Sequence, residues 1–77
     1  MRIILTFETT HSVLAAEKVL KSAPEKFRFR PTPTPAGLSD SVCGMSLELL
    51  DLDKKQDVVD YLSTCQLQPQ GVFELED

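Results

Sequence analysis

An α+β sandwich, with a four-stranded antiparallel sheet and two helices on one of its faces, is the fold this sequence predicts. Three observations carry that expectation. Four short segments have strand patterning, and two stripes at helical spacing fall between them. The chain also has only 77 residues, a length that buries about 60% of its unfolded surface and therefore builds one thin core.

Residues Arg2 to Phe7 read as the first strand. Ile3, Leu5 and Phe7 point one way and Ile4 and Thr6 the other, so both faces are populated and a central place in the sheet follows. Thr9-Thr10 offers an N-cap, and Val13, Ala16, Val19, Leu20 and Ala23 keep helical spacing until Pro24 stops the helix. Lys26-Phe27-Arg28-Phe29-Arg30 alternates charge with phenylalanine, which is the pattern of a half-buried strand whose cations suit a sheet edge. Between Pro31 and Cys43 the alternate prolines Pro31, Pro33 and Pro35 remove backbone donors, and a stiff loop near polyproline geometry is expected.

Gly44 to Leu50 resumes the alternation, with Met45, Leu47 and Leu49 expected inward and Ser46 and Glu48 facing water. Asp53 and Gln56 stand at capping-box spacing ahead of the second helical stripe, Val58, Tyr61, Leu62 and Cys65. Pro69-Gln70-Gly71 then turns the chain into a last strand, Val72 to Glu76, with Phe73 and Leu75 expected inward. The order βαββαβ fits a single ferredoxin-like domain over residues 1–77 with strand order 4-1-3-2. That order brings the end of the first strand, the start of the first helix, the start of the third strand and the end of the second helix to one edge. Cys43, His11 and Cys65 are all expected there.

Composition narrows the chemistry. Eight Lys+Arg against twelve Asp+Glu leave a net charge of -4, which argues against a general nucleic-acid binder. The longest stretch without Asp, Glu, Lys or Arg, between Asp60 and Glu74, contains Ser63, Thr64, glutamines and Pro69 and cannot span a bilayer. No targeting segment is expected at the start, because Ile3-Ile4-Leu5 is soon followed by Glu8. Two cysteines are too few for a disulfide scaffold, and with one histidine they cannot complete a zinc tetrad. No metal and no cofactor are therefore expected, and reduced cytoplasm is the expected compartment.

Cys43 is followed by Gly44, so no bulky side chain shields its sulfur on that side. It reads either as a reactive thiol or as a small buried core residue. In the first reading the helix dipole lowers the thiol pKa by less than a unit, since it contributes roughly 0.3 to 1 kcal/mol. Loop amides and a nearby imidazole add to it, and a pKa of about 7 is expected. His11, in the first turn of the helix, can donate to a thiolate or accept a thiol proton; as a plain surface histidine it would do neither. Thr10 and Ser12 line the same anion-friendly rim, and Cys65 reads as a packing residue of the second helix.

The residues Thr6-Phe7-Glu8-Thr9-Thr10-His11, Ala16-Glu17, Pro33-Thr34-Pro35, Ser39, Cys43-Gly44 and Gly71-Val72-Phe73 together resemble the pattern of a small bacterial family of unknown function, the selenium/sulfur carrier-like proteins. The resemblance covers nearly the whole chain. It implies a carrier rather than an enzyme, in which Cys43 holds a sulfur or selenium atom as a persulfide or its selenium counterpart, with His11, Thr10 and Gly44 as its setting. It also implies donating and accepting proteins as partners. The family usually has an arginine just after Pro-Thr-Pro, where Ala36 stands here, and Arg30 is the alternative partner for an anionic intermediate. Two functions follow, a thiol-based chalcogen carrier and a binding or regulatory module that recognises a small anion or a protein with Cys43 incidental. No nucleic acid and no membrane partner is expected, and a homodimer through strand edges is left open.

Overall fold

The computed structural model describes residues 1–38 and 44–76. Its elements run β1 (Arg2–Thr6), α1 (Thr10–Lys21), β2 (Phe29–Pro33), β3 (Met45–Leu49), a 3-10 turn (Leu52–Lys54), α2 (Lys55–Thr64) and β4 (Gly71–Leu75). The four strands form one antiparallel sheet in the order β2-β3-β1-β4, which is 4-1-3-2 read from the other side. Ile3, Leu5, Phe7, Leu47 and Leu49 from one face of the sheet pack with Val13, Ala16 and Leu20 of α1 and Val58 and Leu62 of α2. Both helices therefore cover that face, and the α+β, ferredoxin-like architecture holds.

Helix α1 forms as its pattern requires. Thr9 is extended, at φ -135° and ψ 156°, and its hydroxyl oxygen accepts the Ser12 N–H at 3.0 Å. Val13, Ala16 and Leu20 are buried, with Val19 and Ala23 packed beside them.

Four local expectations are corrected. The second strand begins at Phe29 rather than Lys26 and takes in Pro31 and Pro33, which the Pro-rich loop was expected to hold. The reason is the direction of their nitrogens. The Thr34 N–H donates to the Gly44 carbonyl and the Leu50 N–H to the Arg28 carbonyl, both at 2.9 Å, so even-numbered residues of β2 face β3. Pro31 and Pro33 then face the free edge, where a missing N–H breaks nothing. Phe27 is buried and Phe29 packs against the core, while Lys26, Arg28 and Arg30 are exposed.

In β3, Ser46 and Glu48 are buried instead of facing water, and it is Met45 that is exposed. The face away from the helices is thus partly closed. In β4, Phe73 and Leu75 lie on that outer face and Val72 packs on the core, because Phe73 pairs with Ile4 and Val72 with Leu5. The Gln70 N–H also donates to the Thr6 carbonyl at 2.7 Å, although Thr6 is opposite Gly71. That extra residue at the strand entry is a bulge, and it sets which face each later residue takes. Finally, the capping box at Asp53 does not form. A 3-10 turn occupies its place, and the amide of Gln56 bonds Asp60 at 2.9 Å.

Candidate functional site

Gly44 and the first turn of α1 both lie at the end of the sheet where β1 finishes. Carrying the Leu5–Leu47 pairing three residues further brings Gly44 level with Glu8, two residues before α1 begins. Gly44 is exposed, and its carbonyl is fixed by the Thr34 N–H. Among the described residues no heavy atom lies within 4 Å of the place a side chain on Gly44 would start. Cys43 itself lies outside the described residues.

Beyond Glu8, Thr10 and His11 are exposed in the first turn of α1. Their amides belong to the helix start that has no intrahelical acceptor, and the positive end of the helix dipole adds to them. Ser12 is committed to the cap, since its N–H donates to the Thr9 hydroxyl and the Thr9 hydroxyl donates to the Ser12 hydroxyl at 3.0 Å. The helix start thus presents the amides of Thr10 and His11 and an exposed imidazole beyond the end of β1.

Arg30 does not join this group. It pairs with Glu48, four residues along β3 from Gly44 and so roughly 13 Å down the strand. Its Nε and Nη2 donate to Glu48 Oε1 at 3.2 and 3.1 Å, while Arg2 donates from Nε to Oε2 and from Nη2 to Oε1, both at 3.2 Å. The Arg2 hydrogen bonds, helped by those of Arg30 and by both charges and opposed by burial, hold the Glu48 carboxyl below the usual glutamate range. This clamp covers the part of the outer face around Glu48. Arg28 makes a second, exposed pair with Asp51 at 2.6 Å, and its bond holds the Asp51 carboxyl below the ordinary range.

Cys65 is half-buried as the C-cap of α2, at the same edge as Gly44. The helix ends in a Schellman motif, with the Leu67 N–H on the Leu62 carbonyl at 2.8 Å and the Gln66 N–H on the Ser63 carbonyl at 3.0 Å. Gln66 occupies the left-handed position, at φ 61°. The chain after it closes a cleft of about 200 Å³ against the first turn of α1, lined among others by Glu8, Ser12, Gln66, Gln68 and Gln70. Sequence reading missed these three glutamines. Their alternation in Gln66-Leu67-Gln68-Pro69-Gln70 was the one available signal.

Among the described residues no helix is long and apolar enough to cross a membrane. No curated protein and no solved structure matches this chain. A family model described as "Putative Se/S carrier protein-like" matches residues 2–74, a span that includes the first turn of α1 and the Cys43-Gly44 pair. The chain belongs to this Se/S carrier protein-like family.

Proposed function

We propose that this protein is a thiol-based sulfur or selenium carrier whose working group is Cys43. The single observation that carries the reading is the family match over residues 2–74, which includes Cys43-Gly44. The absence of any described heavy atom within 4 Å of a side-chain position at Gly44, and the capped first turn of α1 at the same end of the sheet, support it.

The transfer needs no oxidant. The Cys43 thiolate attacks the outer sulfur of a donor protein's persulfide, a new S–S bond forms to Cys43, the donor S–S bond breaks, and the donor leaves as a thiolate. The transferred sulfur keeps its proton. Delivery to an acceptor thiolate is the same exchange in reverse, and a selenium atom follows the same path. His11 and the Thr10 and His11 amides lower the cost of the thiolate at rest, and the absent side chain of Gly44 lets the partner's sulfur approach. A pKa of about 7 suits both directions, because a lower value weakens the nucleophile and a higher one leaves too little thiolate. Proteins that donate and accept the atom are the partners, and a reducing cytoplasm is the compartment that keeps Cys43 available.

The rate of iodoacetamide alkylation of Cys43 against pH, in a Cys65→Ser background, tests the proposal. The expected profile has an apparent pKa of about 7 that rises toward about 8.5 in His11→Ala. A value of about 8.5 or more in both proteins, or alkylation only on unfolding, would remove the physical basis of the reading.

A further inference from the structure

We propose that β4 is an assembly edge, pairing antiparallel with β4 of a second copy about a twofold axis at Phe73 to give one eight-stranded sheet. This goes beyond the carrier reading and uses none of the residues assigned to it.

The two free edges of the sheet are not equivalent. At β2, the outward residues are Phe29, Pro31 and Pro33, as the Thr34 and Leu50 hydrogen bonds require. Two of these have no N–H to offer, so that edge cannot complete a ladder. Amide direction alternates along antiparallel strands, which carries the same argument across the sheet. Even residues of β3 face β2, so Leu47 and Leu49 face Leu5 and Ile3 of β1. Arg2, Ile4 and Thr6 are left to bond Leu75, Phe73 and Gly71 of β4. Val72 and Glu74 then point outward, each with an N–H and a C=O. No proline interrupts β4, and its one charge, Glu74, is neutralised by Lys55 Nζ at 2.8 Å. Its protection is limited to its five-residue length and the bulge at Gln70, which precedes Val72 and Glu74 and leaves their outward groups unblocked by proline or an unpaired charge.

A second copy fits this edge because the strand is self-complementary. With the axis at Phe73, all five residues overlap, and Val72 lies opposite Glu74 twice over, the outward pairs exchanging four backbone hydrogen bonds. Phe73 meets its own counterpart in the closer, non-hydrogen-bonded kind of pair, with Cα atoms about 4.5 Å apart. It is half-buried on the outer face, so the contact removes aromatic surface from water. Moving the axis to Glu74 would oppose two carboxylates, and moving it to Val72 would shorten the overlap. In the favoured register the two Gly44 edges lie at opposite ends of the joined sheet, leaving both accessible.

Sedimentation equilibrium of the whole chain under reducing conditions is expected to show a reversible monomer–dimer equilibrium. Glu74→Pro deletes an outward donor without touching the ladder to β1, and is expected to weaken the dimer at least about tenfold, two symmetry-related hydrogen bonds being lost. In a Cys43→Ser, Cys65→Ser background, Phe73→Cys is expected to form a covalent dimer with oxidised glutathione, because that pair lies within disulfide range. Leu75→Cys, offset along the strand, is expected not to crosslink. A protein that is monomeric at every concentration with no Phe73→Cys crosslink would overturn the proposal, as would a dimer that Glu74→Pro leaves at full strength or equal crosslinking at both positions. None of these readouts involves Cys43 chemistry, so they stand apart from the carrier test.

Discussion

Replacing Glu48 with glutamine keeps the shape of the side chain and removes its charge, which isolates the clamp on the outer face. Glu48 is 6% exposed and receives four hydrogen bonds from two guanidinium groups. A hydrogen bond to a buried charged group contributes roughly 1.5 to 3 kcal/mol. The arginine side chains are 34% and 61% exposed, so solvent screening discounts both, Arg30 the more. A loss of about 2 kcal/mol at neutral pH is expected, which for a domain of this size lowers Tm by about 10 °C.

The pH dependence follows from the direction of the shift. Glu48 titrates lower in the folded protein than in the unfolded chain. Its stabilisation is therefore complete above the unfolded value of about 4.3 and is lost as pH falls through the lower folded value. Thermal melts of parent and Glu48→Gln from neutral to strongly acidic pH should show a gap that closes toward acid. Melting temperatures within about 2 °C at neutral pH, or a gap that persists unchanged in acid, would refute the assignment of the clamp as a source of stability.

Three further substitutions test the fold around the site. Thr9→Ala removes the α1 cap and should cost about 1 kcal/mol, read as a fall in the urea midpoint with unchanged slope. Gln66→Gly relieves a left-handed residue in the Schellman motif and should raise stability by roughly 1 kcal/mol; a lower Tm would contradict it. Gly71→Ala places a methyl group 2.6 Å from the Phe73 ring and 3.0 Å from the Thr6 hydroxyl, and should lower stability by about 1 to 2 kcal/mol in the same unfolding assay.

The parts of the fold written locally were legible in the sequence. β1 and α1 follow from the two-faced apolar pattern and from Thr9 ahead of the Val13, Ala16, Leu20 stripe. The order of elements was enough to bring the start of β3 beside the end of β1, where α1 follows. What local pattern does not contain is the choice of face. Phe73 and Leu75 alternate as expected, but the bulge at Gln70 and the pairing of Gly71 with Thr6 turn them outward. Pro31 and Pro33 read as loop because their missing donors count against a strand unless the neighbour lies on the other side. The Glu48 clamp needs three strands in register before it exists, so neither Arg2 nor Arg30 announces it. The same limit applies to Arg30 as an anion partner, which the pairing with Glu48 draws away from the Gly44 edge.

The central claim is that Cys43 carries a chalcogen atom, and intact and peptide mass spectrometry tests it most directly. The protein is incubated with a persulfide-bearing donor, in parallel with Cys43→Ser and Cys65→Ser variants, without reductant. The account predicts a mass gain of one sulfur on Cys43, retained in Cys65→Ser, absent in Cys43→Ser and removed by a thiol reductant. A Cys43 that stays unmodified while Cys65 or neither cysteine gains the atom would contradict it and favour a binding module in which Cys43 is incidental.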